Sequence, residues 1–491
     1  MPDSPDIEEA NPLLLESEDE YRSSLEYSRD TVDFDRKGDP ENPLEWPGSY
    51  KWGVVALLSF MGFTVTFTCI SLAPIAGHVV DDLNGSKGAK SATVMLVTIW
   101  ELGEAVGPLF IAPLSEIFGR YRLYLTMNTM FIVAILFAAL SPSTELLIVS
   151  RALTGISVAS NVLSPAIIGD MFVPEQRGTA LTLIMFTPLI GGTLGPIISG
   201  AVLQTLGWRA IIWISVVMAS ICQILFLTSF QETCKVQILR RRAARLTLEI
   251  GSEKSMRPGV DLASLGHSIM RPAVVLLNSS VLVALLLFGS YMFSHFYIVS
   301  TTLPEILENI YGLSPTETGL VFIANAVGTI ISFIISKVLL DKIYVKLRAQ
   351  NNGDGLPEYR LPLSIIGAFT LPPAVILYGW CAEYRLPLCV LVFSMVWLRA
   401  SVMLASSPLT AYIVDACGIY SASAMAGLIS MRCLAGAFLP LSVSHLTERL
   451  GYRGGFSMLG GLGLVLALIP TLVFHYGAQW RQRSQYTASN S

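Results

Sequence analysis

The chain has 491 residues, of which 53% are hydrophobic and only 14% charged, with a mean hydropathy of +0.59. That balance excludes an ordinary water-soluble domain and a nucleic-acid binder, and describes a protein solvated mainly by lipid. The net charge of −4 averages an acidic N-terminal stretch with basic loops and decides little.

Residues 1 to about 48 are rich in Asp, Glu and Ser, with few aromatics, and are expected to be a disordered acidic cytoplasmic tail. They lack the basic and apolar regions of a cleavable signal peptide, so the first apolar span is expected to direct insertion. Glu9-x-x-x-Leu13-Leu14 has the form of an acidic dileucine sorting signal, a pattern short enough to arise by chance. Asp39-Pro40-x-Asn42-Pro43-x-x-Trp46-Pro47 reads as a stiff, non-helical segment whose Trp46 sits at headgroup level before the first span.

Apolar runs of about 20 residues, the length that crosses a hydrocarbon core, follow near 52–74, 91–112, 122–140, 146–168, 179–204 and 209–230. Six more lie near 274–300, 317–340, 361–381, 386–413, 421–446 and 454–476. The polar stretch 231–272 divides them six and six, giving an N-terminal bundle over 49–230, a central loop, a C-terminal bundle over 273–477 and a tail over 478–491. The fold class is therefore all-α and membrane-spanning, with 12 helices in two six-helix bundles.

Arg120, Arg122, Arg177, the cluster 240–245 with Lys254, Arg257 and Arg271, and Lys342, Lys346 and Arg348 fall in alternate loops. The opposite loops hold Lys87, Lys90, Arg209, Arg385, Arg449 and Arg453. By the positive-inside rule both termini are cytoplasmic. The segment Arg240 to Leu246 is basic and amphipathic, as expected of a loop resting on anionic lipid.

Between the second and third runs lies a polar hinge, Ser115-Glu116-x-x-Gly119-Arg120-x-Arg122. Gly119 permits a tight turn, the arginines hold it on the inner side, and Glu116 has them or a neighbouring helix end to pair with. Its counterpart in the second half, around Asp341-Lys342, lacks Gly-Arg.

Glu101 and Glu104 lie midway along the second span, three residues apart and so on one helix face. Two carboxylates at that depth do not both stay ionised cheaply, which suits a proton carrier; the alternative is a structural pair with Arg151. Arg151 opens the fourth span in Arg151-x-x-x-Gly155 and needs a partner, a cavity or a path to the outer interface. In the fifth span, Gly191 and Gly195 share a face that admits a close neighbour, and Pro196 bends the helix. Arg399 and Arg432 are mid-span and face either a cavity or structural partners. His295, among Tyr291, Phe293, Phe296 and Tyr297, belongs to an apolar pocket wall or to packing.

The seven cysteines (Cys69, Cys222, Cys234, Cys381, Cys389, Cys417 and Cys433) have neither CxxC nor metal-ligand spacing and read as packing residues. No Walker lysine motif, metal cluster or catalytic triad pattern appears in the sequence, which argues against an ATP-driven pump or a membrane hydrolase.

Ala112-Pro113-Leu114-Ser115-Glu116-x-x-Gly119-Arg120 resembles the loop between spans 2 and 3 of the major facilitator superfamily, in the form used by fungal drug:proton antiporters, with Glu116 for the usual Asp and Ala112 for Gly. The Asp39 to Pro47 segment and Glu232-Thr233 with its basic continuation are similar to the same branch, Gln231 replacing a Pro. Gly191-x-x-x-Gly195-Pro196-x-x-Ser199-Gly200 resembles the motif of the superfamily's exporters, Ser199 being its one departure, and Arg151-x-x-x-Gly155 its proton-transfer pattern. The resemblance runs from Asp39 to about Phe474 and implies proton-coupled efflux of small amphipathic molecules by a monomer in the plasma membrane, with the proton gradient in place of any cofactor. Glu101, Glu104 and Arg151 are then expected in coupling, and Glu116, Gly119, Arg120, Gly191, Gly195 and Pro196 in gating. Uptake of a nutrient or polyamine is the alternative within the same fold, a non-transporting sensor one outside it, and the dileucine pattern leaves a vacuolar membrane as the alternative location.

Overall fold

The computed structural model describes residues 39–84, 90–250, 278–351, 355–417 and 421–482, with Phe34, Met270, Val274 and Leu276 besides. The dileucine pattern and Lys87, Lys254, Arg257 and Arg271 lie outside them. The described residues are helical, with no strand among them. Eleven continuous helical stretches among them are long and apolar enough to cross a bilayer.

The first crossing, Gly48–Asn84, is α1 (Gly48–Ile70), a short 3-10 turn and α2 (Ala76–Asn84). Then come α3 (Lys90–Phe118), α4 (Arg120–Ala139), α5 (Thr144–Ile156) continued by α6 (Ser160–Met171), α7 (Pro174–Leu206) and α8 (Trp208–Ser229). The connecting helix α9 (Lys235–Ile250) leads to the second half. That half holds α10 (Ser280–Asn309), α11 (Pro315–Val321) continued by α12 (Ile323–Gln350), α13 (Leu361–Tyr384), α14 (Leu388–Cys417), α15 (Ser421–Leu466) and α16 (Leu468–Arg481).

The last apolar stretch, Ser423–Arg481, has 59 residues. As one straight helix it would span roughly 90 Å, three times a hydrocarbon core. It is broken at Gly451, whose φ of 70° and ψ of 172° belong to a region open only to glycine. Two crossings result, and the count is twelve. Gly207 (φ 77°, ψ 169°) divides α7 from α8 in the same way, and Gly119 (φ 91°, ψ 158°) divides α3 from α4. The first two stand in matched settings, Leu206-Gly207-Trp208-Arg209 and Leu450-Gly451-Tyr452-Arg453. This is an internal repeat between the fifth-to-sixth and eleventh-to-twelfth crossings that the periodicity of the apolar runs does not reveal.

With an even number of crossings, both described ends lie on one face, called here the terminus face; the opposite one is the far face. The described polar contacts between the halves sit at mid-depth or toward the far face. Lys90 pairs with Glu305 at 2.9 Å, His78 lies 3.8 Å from Glu308, and Thr316 donates to the Gly200 carbonyl at 3.1 Å. At mid-depth Ser430 donates to the Ala105 carbonyl and Tyr297 reaches Glu101. The two halves are thus drawn together away from the terminus face.

On the terminus face, just before α1, Trp46 is buried against Tyr50 and donates to the Pro40 carbonyl at 3.1 Å. Asp39 and Glu41 pair with Arg242 and Arg245 of α9 at 2.6 and 3.1 Å. The basic segment thus has acidic partners within the chain.

Candidate functional site

The mid-depth cluster is built from α3, α5, α6 and α1 of the first half and α10, α14 and α15 of the second. Backbone contact sets its frame: a Cβ at Gly155 would stand 2.2 Å from the Trp100 carbonyl oxygen, and one at Gly103 2.3 Å from that of Ala152. Only glycine allows α3 and α5 to approach this closely.

Glu101 is 2% exposed and sits where the halves meet. Its Oε1 accepts a 2.5 Å hydrogen bond from the Tyr297 hydroxyl of α10, which also lies 3.7 Å from Cys69 Sγ. Its Oε2 is buried with no hydrogen-bond partner among the described residues. A Cβ at Gly436 of α15 would come within 3.3 Å of Oε2 and of the Tyr297 ring, so glycine leaves the carboxyl its room. Glu104, on the same helix, turns into the first half and accepts from Trp100 Nε1 at 3.0 Å and from Asn161 Nδ2 at 2.5 Å. The two carboxyls therefore have separate partners, one across the halves and one within its own.

Arg151 is buried, so it reaches no interface, and the described contacts do not pair it with either glutamate. Its Nη1 and Nη2 donate to the Thr68 and Cys69 carbonyls at 2.8 and 2.7 Å, and its Nε to that of Leu96 at 3.4 Å. Its guanidinium lies 4.8 Å from the Trp100 ring centre. Because α1 ends at Ile70, Thr68 and Cys69 carry last-turn carbonyls, and a cation is well placed at that negative helix end.

Arg399 and Arg432 flank α10, their guanidiniums 4.6 and 4.7 Å from the Phe296 and Phe293 ring centres. Arg399 Nε donates to Thr329 Oγ1 at 3.1 Å, and Arg432 Nε is buried without a partner among the described residues. His295 is buried inside the second half and donates Nδ1–H to the Tyr291 carbonyl at 2.8 Å, and its Nε2 has no partner among the described residues.

The glycines of α7 face α1: a Cβ at Gly191 would stand 2.6 Å from the Phe63 carbonyl oxygen, and one at Gly195 3.3 Å from that of Phe67. The motif's other end crosses to the second half. A Cβ at Gly200 would meet the Pro315 carbonyl at 2.3 Å, and one at Gly319 that of Pro196 at 2.4 Å.

At the hinge, Gly119 takes its positive φ with Glu232 against it. Glu232 accepts from the backbone N–H of Arg120 at 2.8 Å and of Tyr121 at 3.3 Å, satisfying the start of α4. Arg120 donates to Ser115 Oγ and, at 3.4 Å, to Asp170 of α6. The Glu116 side chain lies outside the described part. The second half has a counterpart hidden from the sequence by an intervening stretch: Arg360 pairs with Asp341 and Asp415, both at 3.0 Å, and lies over the Tyr344 ring.

Twelve crossings in two halves, with charged pairs on one face and buried ionisable groups between the halves, are the architecture of a membrane transporter, and the Major Facilitator Superfamily model matches residues 54–440. The chain belongs to that superfamily. It is 33% identical over 467 residues to MFS transporter cpaT of Aspergillus oryzae, covering 94% of each chain. It is 31% identical to efflux pump radE of Floropilus chiversii, covering 93% of this chain and 85% of that one. Among solved structures, the D-xylose-proton symporter matches with a TM-score of 0.63 at 17% identity, over 86% of this chain and 97% of that one. A peptide transporter POT bound to sulfate matches with a TM-score of 0.65 at 14% identity, over 87% and 95%. At these identities the structures speak to fold alone.

Proposed function

We propose that this transporter exports small amphipathic organic compounds across the plasma membrane in exchange for protons, as a monomer with its terminus face in the cytoplasm. The observation that carries this reading is Glu101: a buried carboxyl at the junction of the halves, held on one oxygen by Tyr297 and enclosed on the other side by Cys433 and Gly436, all three from the opposite half. A group so placed feels both its proton and the relative position of the halves.

With the carboxylate ionised, the Tyr297 bond is charge-assisted and ties the halves together toward the far face. An empty, deprotonated carrier therefore stays facing the cytoplasm until cargo enters and loosens the tie. Turning outward exposes Glu101 to the more acidic exterior. Protonation weakens the bond there, cargo leaves, and the protonated carrier returns. The exporter-like stretch Pro196 to Gly200 supports this direction, since it lies at the far-face seam against Pro315 and Gly319. So does the similarity to efflux pump radE, which extends over nearly the whole chain.

The test is purified protein in sealed liposomes with acidity set separately on each side. Net movement of amphipathic probes from the terminus face to the far face, faster as the far side is acidified, is expected. Movement only in the opposite direction would establish uptake of a nutrient or polyamine instead.

A further inference from the structure

Resting on the transport reading above, we infer that the cargo carries an anionic head, a carboxylate or an enolate, which Arg399 and Arg432 hold while its apolar body lies along Phe293 and Phe296. Away from both faces, the described ionisable side chains are Glu101, Glu104, Arg151, Arg399 and Arg432, with His295 buried at 1% exposure. Three guanidiniums face two carboxylates. Arg151 is held by carbonyls and Glu104 by Trp100 and Asn161, and the two charges of the first half sum to zero. What is left is Arg399 and Arg432 against Glu101 alone, and Glu101 takes its hydrogen bond from Tyr297 rather than from either arginine.

One positive charge is therefore uncompensated with Glu101 ionised, and two with it protonated. Charge without a counter-ion is costly at this depth and marks a pathway. The geometry states what would neutralise it. The two guanidinium centres lie 4.6 and 4.7 Å from phenylalanine ring centres of α10, one turn apart, and Arg399 Nε already donates to Thr329. Arg432 Nε has no acceptor among the described residues. Neither arginine is sealed in: both are partly exposed, in contrast to buried Arg151. Two guanidiniums over two rings suit a planar conjugated acid better than an amine, which both of them would repel.

The same count supplies a rule against idle cycling. A carrier with ionised Glu101, both arginines and a cargo anion is electrically balanced and turns outward without moving charge. An empty carrier keeps net positive charge and would have to carry it outward against an inside-negative potential.

Three probes with one body and three heads test this: 1-naphthoate, its methyl ester and 1-naphthylmethylamine, bound to the purified full chain and followed by thermal shift and tryptophan fluorescence. The naphthoate should bind about tenfold or more tighter than either companion. Arg432→Gln and Arg399→Gln should remove that preference while melting, without probe, as the parent does. Should either variant fail to fold, the three-probe comparison on the parent decides alone. Equal binding of acid and ester, preference for the amine, or no binding of any probe at millimolar concentration overturns the inference. Failure of the efflux reading shows differently. Naphthoate that binds but never moves outward in liposomes sinks efflux and leaves the anion site standing, whereas export of amines with no naphthoate binding does the reverse.

Discussion

Glu101→Gln keeps the shape of the side chain and an oxygen for the Tyr297 hydroxyl, and removes only the capacity to exchange a proton. The expected result is a folded protein with parental thermal stability whose cargo movement no longer responds to a pH gradient; full pH-driven transport in that variant would remove Glu101 from the mechanism. Tyr297→Phe tests the other partner. Losing one hydrogen bond costs about 1 kcal/mol of stability, yet it should uncouple the carrier, so that cargo equilibrates across the membrane without being concentrated. Retained concentration at parental level would assign Tyr297 to packing. Arg151 makes a contrasting prediction. Because it satisfies the Thr68 and Cys69 carbonyls, Arg151→Leu strands two buried acceptors at about 1–3 kcal/mol each. A lowered Tm is expected before any loss of coupling can be seen. The sequence showed that this arginine needed a partner. That the partners would be backbone carbonyls depends on where α1 stops, and no side-chain pattern announces that.

Helix contacts separate two kinds of glycine. Gly155 touches Trp100 within one half, whereas Gly200 touches Pro315 across the halves. Both would drive a Cβ into a carbonyl at under 2.5 Å, so both substitutions force a shift, but of different things. Gly155→Leu should prevent proper packing of the first half and show as loss of folded protein. Gly200→Leu should leave each half intact and oppose closure of the far-face seam, giving a folded protein with transport reduced about tenfold, equivalent to about 1.4 kcal/mol between the two conformations. A Gly200→Leu protein that melts far below the parent would contradict the distinction. The helices themselves were legible because a crossing needs a fixed length of apolar residues. Turns were legible where a glycine and basic residues coincide, as at Gly119. The latch partners were not, because Asp170 and Glu232 lie 50 and 112 residues from Arg120 and only the fold brings them to it. The second latch was hidden for a related reason: its arginine, Arg360, follows Asp341 by 19 residues instead of standing beside it.

At the scale of the molecule, the distribution of contacts between the halves has a direct consequence. The ion pair Lys90–Glu305, its partners 28% and 34% exposed, and the neighbouring His78–Glu308 contact join the halves near the far face. Partly exposed pairs of this kind contribute about 0–1 kcal/mol each, too little to hold the fold but enough to bias a balance between two conformations of similar energy. Reversing one charge, as in Glu305→Lys, places it opposite Lys90 and should shift the population toward the state open at the far face. The double exchange Lys90→Glu with Glu305→Lys restores attraction and should return transport toward the parental rate. Covalent linkage makes the stronger test. Cysteines at positions 90 and 305 in a background without the seven native cysteines, joined by a cleavable bifunctional maleimide, should hold the far face shut and stop transport, and cleavage of the linker should restore it. Undiminished transport by the cross-linked protein would show that the halves do not separate at this seam, and alternating access by relative movement of the two bundles would then have to be abandoned for this chain.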